Sequence, residues 1–164
     1  MLDLSGIDQK KLRPVLDKLR QKVKKHPVVK RMFKEYGLDL SEIDLVPMAF
    51  ARLDVSARTD HAIIYLNVAL LNEMDENDHY LVHELVHFAQ QTTGTKPTQS
   101  ADVGSYLDNK DEIEGFQNQT EYIAEEYGED KADDYVDQLL DHHDIRDNKE
   151  RNKRKNKLLE LANK

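Results

Sequence analysis

The segment His83-Glu84-Leu85-Val86-His87 sets two histidines four positions apart, with a glutamate directly after the first. On an α-helix, positions i and i+4 lie one turn apart on the same face, so both imidazoles can reach one ion. A glutamate at i+1 is turned away from direct ligation, yet it can take a proton from water beside the metal. The chemistry this spacing suits is zinc-assisted hydrolysis. Chance alone produces such a match in roughly a few chains per hundred of this His and Glu content. The flanking Leu85, Val86, Phe88 and Ala89 are uncharged and can seat the helix in a core. Without a metal, His79, His83 and His87 would read as a stripe of solvated histidines.

A catalytic zinc with two imidazoles takes a third protein ligand and keeps its fourth position for water. The stretch 106–118 offers Asp111, Glu112 and Glu114 on the next predicted helix. Hydrolysis of a peptide also develops an oxyanion that needs a hydrogen-bond donor. Tyr106, in the loop before that helix, is one candidate; its plainer role is to staple the loop. His142-His143 is a second, although adjacent helical residues point in different directions.

These residues need elements to hold them. Leu12, Val15, Leu16, Leu19 and Val23 follow helical spacing, which predicts an amphipathic helix over 8–25. Pro14 fits best in a first turn, placing the start nearer Lys11. A second short helix is expected up to Tyr36, with Gly37 as its cap. The apolar run 43–55 reads as a strand, 56–61 as a polar turn and 62–66 as a second strand. Residues 68–73 begin a helix, and the motif helix follows from Asn77 or Asp78 to Gln91. Residues 95–110 read as a polar loop. Helices are expected over 111–127 and 130–143, with a tail that frays or forms a short helix around Leu158, Leu159 and Leu161. The order gives an α+β class with a small mixed or antiparallel sheet packed on the motif helix.

At residues 60–125 the chain resembles the gluzincin branch of zincin-like HExxH metallopeptidases, and is most similar to compact H-E-L-x-H domains of bacterial and bacteriophage proteins. The resemblance implies a zincin-like fold in which the strand at 62–66 is an edge strand able to pair with an extended substrate. It implies one Zn²⁺ per chain held by His83, His87 and a helical glutamate. In such families the ligand glutamate is commonly followed three positions later by a small residue. Gly115 stands at that offset from Glu112, so the resemblance assigns Glu112, with Glu114 as the runner-up. Glu84 is then the general base acting on zinc-bound water. The thermolysin-like branch often carries an Asp after the small position; Phe116 stands there in this chain. Asp111, Asn118 and Glu121 are left as candidates to orient a ligand histidine.

Composition bounds the reading. The 164 residues fit a single domain: basic N-terminal helices (1–36), a catalytic core (37–145) and a basic tail (146–164). Cysteine is absent, which excludes disulfides and thiolate chemistry. No signal peptide or apolar span is recognisable, which predicts a cytoplasmic protein of a bacterium or a phage-infected cell, with no membrane partner. Residues 1–36 carry 11 Lys/Arg against 4 Asp/Glu, and 146–164 carry 8 against 3, while the whole chain is at −8. The basic ends lack interleaved aromatics, and the net charge repels a phosphate backbone, so nucleic acid is not the expected partner. A nucleic-acid-binding module would instead show steeply salt-dependent retention. Either basic end could also lie over the acidic cleft as a plug. The expected function is a zinc metalloendopeptidase acting on peptide or protein substrates. The alternative is a catalytically silent zincin-fold binding or assembly protein, of the kind phage genomes encode.

Overall fold

The computed structural model describes residues 2–94 and 106–164. The chain divides into two compact units, Met1–Pro97 and Thr98–Lys164. Of the polar loop expected over 95–110, residues 95–105 lie outside the described residues. No described helix is long and apolar enough to cross a membrane.

The first unit opens with α1 (Gln9–Lys24) and α2 (Pro27–Glu35). The start of α1 lies earlier than Pro14 suggests, because the Asp8 side chain caps the helix by accepting from the Lys11 amide. The Gln9 side chain also has a task at this end. It donates to the Phe50 carbonyl at 2.6 Å and accepts from the Phe50 amide at 3.1 Å. Pro27 sits at the start of α2, where its missing N–H costs nothing.

The run 43–55 is not one strand. The Asp39 side chain caps a 3₁₀ helix, Leu40–Leu45, and only after Pro47 does the chain extend into β1 (Met48–Ala51). Residues 56–61, expected as a turn, contain β2 (Ala57–Asp60), which pairs antiparallel with β3 (Ile63–Asn67). A two-residue hairpin joins them, with His61 and Ala62 at φ 52° and 61°. Such turns ordinarily use Asn or Gly, so the sequence carries no hairpin signal here. Residues 68–73 are a 3₁₀ helix.

The sheet is mixed, in the order β1-β3-β2, with β1 and β3 parallel. The strand expected at the edge, 62–66, is therefore the central one; the edges are β1 and β2. Gln9 pairs with the outer backbone of β1, which leaves β2 as the edge beside the motif helix.

That helix is α3 (His79–Thr92), buried on most of its circumference. Its backing comes from the N-terminal helices: the rings of Phe33 and Phe88 stack at 6.4 Å. Leu16, Val23, Val29 and Phe33 are each at most 5% exposed. Lys22 pairs at 2.6 Å with Asp78, whose side chain is fully buried. The basic first helix is thus part of the unit's core, not a detachable plug.

The second unit contains α4 (Lys110–Tyr127), α5 (Glu129–His142) and α6 (Asn148–Leu158). Asn109 caps α4, and Gly128 ends it at φ 104°. Phe116, Ile123, Val136, Leu140, Leu158 and Leu159 form its core. The tail neither frays nor projects. Lys155 pairs with Asp137, Arg151 with Asp141, and Arg154 with both Asp108 and Glu150. Its basic charge thereby meets acids of its own unit.

Candidate metal centre

In the first unit, α3 brings His83 and His87 together. Their Nε2 atoms lie 3.1 Å apart, with the rings edge to face at 4.9 Å between centroids. Two nitrogens bound at about 2.05 Å to one tetrahedral zinc stand about 3.3 Å apart, so the pair fits such an ion. His83 is buried, at 4% exposure, and His87 is half-buried. The geometry follows from helical periodicity, and the helix is held in place by its apolar neighbours.

Glu84 is also buried. Its Oε1 accepts a hydrogen bond from the Thr59 hydroxyl at 2.8 Å. Thr59 lies on β2, so the edge strand positions the carboxylate. Gln91 ties the same hairpin to α3: its Nε2 donates to the Thr59 carbonyl at 3.3 Å, and its Oε1 accepts from the Ala62 amide at 2.7 Å. Gln90, 1% exposed, has its Oε1 2.8 Å from His87 Nδ1. The HExxH spacing itself does not include Thr59, Gln90 or Gln91. Gln90 had a legible signal, since i+3 from His87 faces the same way. Thr59 had none, because its contact spans 25 residues.

His79 is buried one turn before His83. Burial pushes its imidazole pKa down to about 4; the Asp78 charge opposes that shift and His83 adds to it. It is a neutral core histidine, not part of a solvated stripe.

In the second unit, Glu112 and Glu114 occupy the first turns of α4 and both are half-buried. Two positions apart on a helix, they face different ways. The Tyr106 hydroxyl donates to Glu112 Oε1 at 2.6 Å. The Tyr106 ring stacks on His143 at 5.5 Å and meets Phe116 edge-on at 5.9 Å. Tyr106 therefore holds a carboxylate, and His143 packs on the tyrosine. His142 and His143 meet edge to face at 5.2 Å. Of the residues expected to orient a ligand, the Asn118 amide donates to the Glu114 carbonyl at 2.9 Å, and the Asp111 amide is capped by Asn109.

Comparison with known proteins returned no matching family model, no similar curated protein and no similar solved structure. The case for function therefore rests on the residues themselves.

Proposed function

We propose that this chain is a small zinc-dependent peptidase of zincin-like architecture, in which His83, His87 and Glu112 hold one zinc ion and Glu84 moves the protons. The observation that carries the reading is the convergence of the His83 and His87 Nε2 atoms at 3.1 Å on a helix that also carries the buried Glu84. Two imidazole nitrogens and one carboxylate oxygen are a donor set that suits a zinc ion. Zinc in such a set supplies Lewis acidity, which polarises a carbonyl and acidifies water.

The remaining tasks fall to the chain. One oxygen of Glu84 is occupied by Thr59, which leaves the other to take a proton from the attacking water and deliver it to the leaving amine. Recognition of an extended peptide suits β2. The Asn67 amide donates to the Ser56 carbonyl at 2.9 Å, and the antiparallel alternation then turns the backbone groups of Ala57 and the Thr59 amide away from β3. Those outward groups can pair with a substrate strand.

The test compares wild type with Glu84→Gln on denatured casein, alongside elemental analysis of zinc. Wild type should cleave casein, stop on chelation and recover with zinc. Glu84→Gln should keep its zinc and lose about 10²–10⁴-fold in turnover. Equal turnover in the two proteins would overturn the mechanism, and a zinc-loaded wild type that cleaves nothing would point to the silent binding protein.

A further inference from the structure

We infer that Gln90 is a positioning residue that fixes His87 as its Nδ1–H tautomer and thereby dedicates His87 Nε2 to the metal. A neutral imidazole carries one N–H, on either ring nitrogen. The Gln90 Oε1 facing His87 Nδ1 at 2.8 Å is a carbonyl oxygen and can only accept, so the proton sits on Nδ1. The Nε2 lone pair then faces the side where His83 Nε2 lies at 3.1 Å. Gln90 is 1% exposed, so its amide is held away from bulk water, while His87 is half-buried. The residue sits three positions after His87 on the same helix face, where helix and core hold its amide in place.

Outer hydrogen bonds to ligand histidines fix the tautomer and raise ligand basicity, and losing one typically weakens metal binding by about 10–100-fold. A neutral amide in this position holds the ring without adding charge to the site. The metal half of the inference rests on the zinc reading above; the tautomer half does not.

The experiment uses the full chain with Gln90→Leu and Gln90→Glu. Zinc affinity is measured by competition with a chromophoric chelator, and the His87 tautomer by ¹⁵N NMR on metal-stripped protein at a pH where imidazole is neutral. Gln90→Leu, similar in size but without an acceptor, should bind zinc about 10–100-fold more weakly. It should also lose the pure Nδ1–H signature, with far-UV circular dichroism confirming that it folds. Gln90→Glu restores an acceptor and should bind at least as tightly as wild type, which simple loss of packing would not predict. Leu and wild type binding zinc equally, or a wild-type His87 that is predominantly Nε2–H, would overturn the inference. A wild type that takes up no zinc but shows the Nδ1–H tautomer would overturn the zinc reading and leave the tautomer assignment standing.

Discussion

The imidazoles and the carboxylate proposed as ligands of one ion are held by opposite means. His83 and His87 share one helix, and their spacing is set by its periodicity. Their neighbours are buried: Phe88 stacked on Phe33, Gln90 against His87, Thr59 against Glu84. Glu112 stands in the first turn of a helix in the other unit, and the hydroxyl that holds it belongs to Tyr106, which is 40% exposed. The first arrangement is rigid because many core contacts fix it. The second rests on a partly solvated contact, whose net worth is small. Metal affinity should therefore be far more sensitive to damage in the core of the first unit than to loss of the tyrosine hydroxyl.

The largest expected effect comes from removing the backing of α3. Phe33→Ala should cost about 3–5 kcal/mol in chemical denaturation and lower zinc occupancy with it. The N-terminal helices act here as core, so deleting residues 1–36 should unfold the first unit. A truncated chain that stays folded and cleaves faster would show the first helices to be a plug and not core.

A smaller effect is expected from His79. The folded chain keeps it neutral down to about pH 4, whereas the unfolded chain protonates it near 6.5. Between those values the unfolded state binds the extra proton, so stability falls as pH drops from 6.5 to 4. The loss is about 3 kcal/mol by the lower end. His79→Leu should flatten that part of the stability–pH curve in metal-free protein; an unchanged slope would show that other groups carry it.

The smallest effect is expected in the second unit. Tyr106→Phe should weaken zinc binding only about two- to tenfold, the worth of one partly solvated hydrogen bond, and leave turnover per bound zinc unchanged. If instead zinc binding held while turnover fell about 10²–10³-fold, Tyr106 would be the oxyanion donor that the sequence suggested.

Much of α3 was legible because chemistry and packing write the same signal there: histidines at i and i+4 among apolar residues that must be buried. The edge strand was not. Its residues, Ala57-Arg58-Thr59-Asp60, are too polar to announce a strand, since Arg58 and Asp60 pair with each other at 3.5 Å while Thr59 turns to α3. The hairpin after it uses His61 and Ala62 where Asn or Gly would have marked a turn. The long strand expected over 43–55 failed for a local reason as well: the Asp39 cap and Pro47 favour a 3₁₀ turn before the chain extends. At α1, Pro14 suggested a late start, and the Asp8 cap outweighed it. The tail's fate depended on contacts distant in sequence, such as Arg154 with Asp108, which periodicity alone does not show.

If His83, His87 and Glu112 share one zinc ion, the metal content of the chain must depend on all three. Elemental analysis of the full chain, purified without chelators or a histidine tag, tests it beside Glu112→Ala and Glu114→Ala. Close to one zinc per wild-type chain is expected, kept by Glu114→Ala and lost by Glu112→Ala. A folded wild type that takes up no zinc when supplied with it, or loss of zinc in Glu114→Ala alone, would rule out that set of ligands.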